Sequence, residues 1–308
     1  MGMIRQVGAL TGVAILTLAL GAPAMGAKID GELIEGSQLK LKQIDVPAGG
    51  TVGGTAHCPK SKRLLTGGAF WHATGAGPDP AISNLSQLTS SAPTRDGRGW
   101  YADGQSVASE SRTLTIEARC VPKGKMPRVT ARDEGNVLDT GFAGGVTADC
   151  PGDQVTMTGG AYLGKPGKGP SRVGARRGRI TGSTLINSAE KWRVIGGNFS
   201  EGKLELHAIA LCVPANKVDG LNINYPTSVV PDHGTAGGYG SCFGGTRALA
   251  VGTSWRRTGE QKPAVDLASS TYLSGNAPTF DTLGHYGAGL NASGVSLNLD
   301  TAILCPNF

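Results

Sequence analysis

The sequence predicts an all-β protein made of three homologous antiparallel units. Three observations lead to this prediction: the spacing of the cysteines, the abundance of glycine, and short stretches in which apolar and polar residues alternate. We expect the units to form one body in a pseudo-threefold, β-prism-like arrangement, because no long Pro- or Ser-rich linker separates them. Three tandem β-domains are the alternative.

The cysteines fall into pairs with nearly equal internal spacing. The two members are 62 residues apart in the first and second pairs and 63 apart in the third, and the pairs are Cys58 and Cys120, Cys150 and Cys212, and Cys242 and Cys305. The first members of successive pairs are 92 residues apart. A fixed period of this length is typical of a repeated structural unit.

The residues around the cysteines follow the same period. In the first two units a Cys-Pro is followed by a Gly-Gly pair, then by a tryptophan, and finally by a cysteine before Val-Pro. The Gly-Gly pairs are Gly67-Gly68 and Gly159-Gly160, and the tryptophans are Trp100 and Trp192. The third unit departs from this pattern at Phe243, Val251 and His285.

This arrangement resembles a Cys-Pro, Gly-Gly, Trp, Cys repeat of secreted bacterial proteins of unassigned function. The resemblance covers nearly all of the chain after its first residues and implies an exported β-repeat protein, without implying an activity.

The first residues have the features of a secretory signal peptide. Arg5 gives a positive start, Val7 to Leu20 is apolar, and small residues follow at Ala22-Pro23-Ala24. We therefore expect a signal peptide at 1–26, β units at 27–123, 124–215 and 216–308, and a secreted or periplasmic mature chain without a transmembrane segment.

Export places the cysteines in an oxidising compartment, where disulfides persist. Six cysteines permit 15 pairings, and three equivalent units would pair each opening cysteine with the closing cysteine of its own unit. Each bridge would stabilise the fold by ~3–4 kcal/mol. No Cys-x-x-Cys occurs, so we expect neither a cysteine metal site nor a cofactor.

Alternation predicts the strands. Thr113–Cys120 alternates apolar and polar residues, which indicates a half-buried strand with its cysteine pointing inward. Glycine weakens a strand unless a large group must approach closely, so we expect Trp100 and Trp192 to pack over the Gly-Gly pair of their own unit.

Further strands are expected at each tryptophan, at one place in each join between units, and at Ala81–Leu88, Arg179–Ile186, Val265–Leu273 and within Lys28–Val46. Asn198 and Asn291 occupy nearly equivalent positions and are expected to cap turns.

The sequence contains no catalytic motif that would identify an active site. The sequence contains no Gly-x-Ser-x-Gly and no His-Glu-x-x-His, and its five histidines are scattered. We interpret the acidic residues from Asp133 to Asp153 as solvated turn residues. These observations do not favour an enzyme.

One basic segment stands out from a mild net charge of +6. It contains no acidic residue and carries the cations Lys165, Lys168, Arg172, Arg176, Arg177 and Arg179. Such a segment would attract an anionic polysaccharide or another polyanion. Nucleic acid is a poor candidate because the segment has no aromatic residue for base stacking. A solvated surface loop is the alternative interpretation.

The sequence therefore favours a secreted, disulfide-stabilised β-repeat protein that binds a carbohydrate or a cell-surface polyanion, with repetition adding avidity. A structural envelope or extracellular component without a small ligand is one alternative. A hydrolase whose active site the sequence does not reveal is the other.

Overall fold

The computed structural model describes residues 36–75, 86–170, 177–186, 189–218, 222–242, 248–261, 263–278 and 284–305. The predicted signal peptide, at 1–26, lies outside these ranges. Within them the chain is all-β, with nineteen strands and only short 3₁₀ helices at Lys123–Lys125, Ala215–Lys217 and Val265–Ser269. The predicted all-β class is confirmed.

The strands are numbered in chain order. Before residue 123 they are β1 (Gln38–Val46), β2 (Thr51–His57), β3 (Lys62–Ala73), β4 (Ser86–Pro93), β5 (Gly99–Ser106) and β6 (Arg112–Pro122). The next six are β7 (Thr130–Leu138), β8 (Ala143–Asp149), β9 (Gln154–Gly164), β10 (Gly178–Ile186), β11 (Lys191–Asn198) and β12 (Leu204–Pro214). The last seven are β13 (Asn222–Asn224), β14 (Thr227–Val230), β15 (Thr235–Ser241), β16 (Ala250–Arg257), β17 (Thr271–Pro278), β18 (Gly284–Asn291) and β19 (Leu297–Cys305).

These strands form three open antiparallel sheets. The first sheet has the order β1-β6-β3-β17-β18-β15, and the second has the order β2-β5-β4-β9-β12-β7. The third has the order β13-β19-β16-β10-β11-β8, and β14 also pairs with β19. Each sheet therefore combines strands from two of the three segments that the cysteine spacing defines.

The two halves of each sheet meet over a short stretch. Only two residue pairs form each junction, between β3 and β17, between β4 and β9, and between β10 and β16. Strands β4, β10 and β17, one from each sheet, also contact one another. The three sheets thus come together at these junctions.

The first glycine of each Gly-Gly pair accommodates a tryptophan. A Cβ atom on Gly67 would lie 2.7 Å from Cδ2 of Trp100, and one on Gly159 would lie 2.3 Å from Cδ2 of Trp192. Both rings are buried, and their N–H groups donate to serine hydroxyls of the adjacent strands, Ser91 at 2.9 Å and Ser183 at 3.0 Å. The predicted packing of each tryptophan over its Gly-Gly pair is confirmed.

The second glycine of each pair lies at a junction between sheet halves. A Cβ atom on Gly68 would lie 2.3 Å from the Cα of Ala277 in β17, and one on Gly160 would lie 2.4 Å from the Cα of Ala92 in β4. Gly252 meets β10 in the same way, 2.4 Å from the Cα of Thr184. The absence of a side chain at these positions lets two strands approach closely.

The disulfides have the predicted pairing. The bonds are Cys58–Cys120, Cys150–Cys212 and Cys242–Cys305, with Cα–Cα distances of 5.5, 5.6 and 5.6 Å. In each, the first cysteine directly follows β2, β8 or β15, and the second lies in β6, β12 or β19. Each bond therefore ties together two different sheets.

Some local predictions are wrong. Strand β6 is buried on both faces, because Glu117 and Arg119 are covered as completely as its apolar residues, so it is not half-buried. The segment Val265–Ser269 is a 3₁₀ helix, and the strand there begins at Thr271. The join before β9 holds two strands, β7 and β8, where one was expected.

Other local predictions are confirmed. The closing strand expected within Lys28–Val46 is present as β1. Asn198 accepts a hydrogen bond from the Ser200 N–H at 2.9 Å, and Asn291 accepts one from the Ser293 N–H at 3.0 Å. Both asparagines therefore cap turns as expected.

Candidate functional site

The basic segment is divided between a turn and a strand. Lys165 and Lys168 are exposed on the turn that follows β9, whereas Arg177 directly precedes β10 and Arg179 is its second residue. Arg172 and Arg176 lie outside the described residues. The structure therefore describes four of the six predicted cations, in two places.

The lysine turn borders an open surface depression of about 490 Å³. Its lining residues are Lys165, Pro166, Lys168, Ser200, Glu201, Gly202, Lys203 and Leu204. Three of these side chains are cationic and one is acidic. Lys203 was not among the predicted binding residues; it comes from the turn before β12. We call this feature the lysine depression.

The two described arginines of the segment make contacts within the protein. Arg177 Nη1 lies 3.6 Å from Glu201 Oε1, and both side chains are largely exposed. Arg179 donates to the carbonyl of Ser269 at 2.9 Å, and its guanidinium lies 5.0 Å from the centre of the Phe199 ring. Arg179 thus ties β10 to a neighbouring 3₁₀ helix and does not line the lysine depression.

A polar cluster lies beside the lysine turn, on strands β7, β9 and β12. His207 Nδ1 lies 2.7 Å from Asp133 Oδ1, and His207 Nε2 lies 3.2 Å from Glu205 Oε2. The second contact is within ion-pair distance but does not meet hydrogen-bond criteria. The ring of Tyr162 stacks on His207 at 4.3 Å, with the two planes 7° apart.

Arg95 completes the cluster from the turn between β4 and β5. Its Nε donates to Asp133 Oδ2, and its Nη2 donates to the Tyr162 hydroxyl at 2.8 Å. The cluster therefore links the segment before residue 123 with strands β7, β9 and β12.

The opposite charges in the cluster stabilise the ionised forms of their partners. Burial alone would lower the pKa of His207, but its hydrogen bond to Asp133 and the nearby Glu205 raise it above the ordinary value. Burial would raise the pKa of Asp133, but His207 and Arg95 lower it below its ordinary value. The arrangement therefore favours a protonated imidazole between two carboxylates.

Glu205 connects the cluster to the lysine turn. The Gly167 N–H donates to Glu205 Oε2 at 2.8 Å, and this bond is the main reason that the pKa of Glu205 is lowered. Gly135 faces the same groups, since a Cβ atom there would lie 2.7 Å from Glu205 Oε1 and 3.0 Å from His207 Cε1. The lysine turn is thus held in place by a carboxylate that His207 orients.

Two of the described histidines, His72 and His207, have buried side chains, and neither forms a histidine–hydroxyl pair that a substrate could reach. Both ring nitrogens of His207 face carboxylates, so the ring has no nitrogen directed at a hydroxyl. His72 Nε2 lies 2.7 Å from Thr115 Oγ1, but His72 and Thr115 are only 2% and 1% exposed. A substrate could not reach that hydroxyl, so this geometry does not supply a hydrolytic site.

Comparison with known proteins adds no assignment. A scan against protein-family models and a search of curated proteins both give no match. Within the described ranges, no helix is long and apolar enough to cross a membrane. In the same ranges, no group of three or more His, Cys, Asp and Glu side chains is arranged to hold a metal ion.

The polar cluster was not predicted from the sequence. Asp133 is not a solvated turn residue as interpreted, because it lies in β7 with a side chain only 14% exposed. Glu205 and His207 are two residues apart on one strand, so alternation alone could have placed them on the same face. Their meeting with Asp133 depends on strand pairing, which the sequence pattern does not specify.

Proposed function

We propose that this is an exported protein that binds an anionic polysaccharide at the lysine depression. The observation that carries the proposal is the convergence of Lys165, Lys168 and Lys203 on one depression with a single acidic side chain in its lining. Lys203 also forms an exposed ion pair with Asp139, outside the lining, at 3.0 Å. Cations grouped around a concave surface attract a polyanion more strongly than cations scattered over a surface.

The turn that carries two of these lysines is anchored. A hydrogen bond closes the turn from the Lys168 N–H to the Lys165 carbonyl at 2.9 Å, and the Gly167 N–H is held by Glu205. An anchored turn loses less conformational entropy when it binds, which favours affinity. Exposed Pro166 between the lysines offers apolar surface to the face of a sugar ring.

Export is part of the same proposal. Three intramolecular disulfides are typical of proteins from oxidising compartments. The apolar stretch from Val7 to Leu20, after the positive Arg5, supports a cleaved signal peptide at 1–26. We also propose that the resemblance to repeats of secreted bacterial proteins reflects a shared architecture.

That architecture is a triplicated unit in a β-prism-like arrangement. The supporting observation is the recurrence of one strand order, since β1-β6-β3 and β7-β12-β9 match, as do β2-β5-β4, β8-β11-β10 and β15-β18-β17. Three junctions of two residue pairs each join these groups pairwise into three sheets, and the junction strands β4, β10 and β17 contact one another.

Retention on immobilised heparin and on a polygalacturonate resin tests the binding proposal. The variant combines Lys165→Ala, Lys168→Ala and Lys203→Ala. At ~0.3–1 kcal/mol for each exposed charge, the three changes should weaken binding roughly tenfold and reduce its dependence on salt.

A matched control removes three exposed lysines that do not line the depression, with Lys42→Ala, Lys60→Ala and Lys217→Ala. Both variants lose the same net charge, so the control corrects for non-specific attraction. Equal retention of the two variants, or no retention of the wild-type protein on either resin, would show that the lysine depression does not bind polyanions.

A further inference from the structure

A second depression, of about 230 Å³, has four cationic side chains among its nine lining residues. The cations are Arg63, Arg95, Arg98 and Lys123. We call it the arginine depression. It shares no lining residue with the lysine depression. Its volume is below the ~300–1,000 Å³ typical of sites for drug-sized ligands, so it suits a small ligand or a single chemical group.

Backbone hydrogen bonds fix the segments that carry these cations. The carbonyl of Arg98 accepts from the Cys58 N–H at 2.7 Å, and the carbonyl of Gly97 accepts from the Leu64 N–H at 3.0 Å. The Lys123 N–H donates to the Ser61 carbonyl at 3.2 Å. The Cys58–Cys120 disulfide joins two of these segments, so the walls of the depression are preorganised.

The arginine depression has more cationic side chains than acidic side chains paired with them. Arg95 is paired with Asp133, but no ion pair is formed by Arg63, Arg98 or Lys123 within the described part of the chain. Asp96 is the one acid in the lining, and its Oδ1 already accepts from the Thr94 hydroxyl at 2.6 Å and the Arg98 N–H at 3.0 Å.

One donor in this group is both buried and unsatisfied. The Nε of Arg98 is shielded from solvent and has no hydrogen-bond acceptor among the described residues. Leaving a buried charged donor without an acceptor is costly, and native structures supply a partner for most such groups. Arg98 therefore keeps an uncompensated positive charge at the wall of the depression.

Apolar residues form the remaining wall. Val129, Ala131 and Leu211 line the depression, and Leu211 is completely buried. Electrostatic attraction is stronger next to such a wall than in open solvent, because the local dielectric constant is lower. A carboxylate, sulfate or phosphate group would therefore be held more firmly here than on an exposed basic surface.

The cations are absent from the corresponding positions of the next segment. Residues 92 positions further along the chain are Val155, Asn187, Glu190 and Ala215. The strands of that segment form without these cations. The arginine depression is therefore not a requirement of the fold.

We propose that the arginine depression is a binding site for a single oxyanionic group. The guanidinium groups of Arg63 and Arg98 would grip two oxygens of the group through paired N–H donors, and Lys123 would add a point charge. The group belongs either to a sugar or to a free inorganic ion, since both present the same oxygens.

Calorimetric titration of the full-length protein with inorganic sulfate, inorganic phosphate, glucose 6-sulfate and glucuronic acid tests the proposal at constant ionic strength. The wild-type protein should bind at least one of these probes. Tighter binding of a sugar-linked group than of the inorganic ions would identify a glycan substituent as the ligand, and equal binding would identify the free ion. Absence of binding for all four probes would overturn the proposal.

The variant Arg63→Gln with Arg98→Gln should weaken binding at least tenfold. The control Arg128→Gln with Lys217→Gln removes the same charge from exposed positions outside the depression and should bind as the wild type does. Lys123→Gln alone changes an exposed side chain, so it tests the site if the double variant fails to fold. Wild-type affinity in a folded Arg63/Arg98 variant or in Lys123→Gln would also refute the site.

The two binding proposals fail separately. The triple variant of the lysine depression should keep wild-type affinity for the small anions, because it leaves the arginine depression intact. Loss of small-anion binding in that triple variant would assign the anions to the lysine depression and contradict the proposal made here.

Discussion

The carboxyl group of Glu117 should make the protein less stable as the pH rises. Glu117 lies in β6 with no exposed surface, and neither carboxylate oxygen has a hydrogen-bond partner among the described residues. Burial raises the pKa of Glu117 from its ordinary value of 4.5 to about 8, although the positive charge of Arg119 opposes the change.

The sign and size of the effect follow from proton linkage. The native state holds the Glu117 proton up to about pH 8, whereas the unfolded state releases it near pH 4.5. The free energy of unfolding therefore falls as the pH rises between these values, by ~1.4 kcal/mol for each pH unit across most of the range. From pH 5 to pH 8 the total loss is ~3 kcal/mol.

Glu117→Gln should remove this loss, because glutamine has nearly the same shape and no charge. Urea unfolding at pH 5, 6, 7 and 8 would measure it, and the variant should gain ~3 kcal/mol relative to the wild type between the ends of this range. Other titrating groups are common to both proteins and cancel in the comparison. Glu134→Gln makes the same chemical change on an exposed side chain and should keep the wild-type slope. A difference between Glu117→Gln and wild type that stays constant with pH would refute the reasoning.

Three further predictions concern packing, cross-linking and the polar cluster. Gly159→Ala should lower the free energy of unfolding by ~3 kcal/mol in urea, because its methyl group would overlap the ring of Trp192. The control Gly202→Ala meets no atom within 4 Å and should change this free energy by less than ~0.5 kcal/mol. Equal costs for the two variants would contradict the packing. Replacing Cys150 and Cys212 by serine should lower the free energy of unfolding by ~4 kcal/mol, since the disulfide closes a loop over a sequence separation of 62. A melting temperature equal to that of the wild type would contradict this prediction. The raised pKa of His207 stabilises the fold below about pH 6.5, and this stabilisation is lost as the pH rises through the native pKa. In thermal unfolding, His207→Gln should therefore be more destabilising at pH 6 than at pH 9. The reverse order would be inconsistent with the cluster.

The sequence predicted those features that depend on spacing and local pattern. The cysteine pairs follow from the period, and the packing of Trp192 over Gly159 follows from a glycine where a strand would otherwise need a side chain. The cysteine pairing and the tryptophan packing both depend on residues whose role does not change with the identity of the neighbouring strand. For this reason they could be inferred without knowing the order of the sheets.

The exchange of strands between segments could not be inferred in this way. Alternation shows which residues share a face of a strand, but it does not identify the neighbouring strand. The junctions offer little sequence signal, because each involves only two residue pairs, such as Ser90 with Tyr162 and Ser91 with Ala161. The burial of Glu117 was missed for the same reason, since a polar face looks solvated until its neighbours are known.

The polar cluster needed the register of two strands as well as their order. The backbone of Asp133 is paired with that of Ile209, so its side chain reaches His207 along the diagonal between β7 and β12. Arg95 arrives from the preceding segment across the junction of β4 with β9. No single stretch of sequence contains the information that brings these groups together.

The positions of the charges bear on how the protein would bind its ligand. Glycines, tryptophans and cysteines recur with the 92-residue period, but most cations of the lysine depression and of the arginine depression do not; the exceptions are Lys165, which matches Arg257, and Arg63, which matches Arg247 two periods later. Three copies of one weak site would give avidity for a repeating ligand. The observed distribution instead provides two different depressions with cationic side chains in their lining, which Arg95, Asp133, His207 and Glu205 connect by contacts. On the two proposals made above, selectivity would therefore come from a ligand that presents a single charged group to one depression and a charged chain to the other.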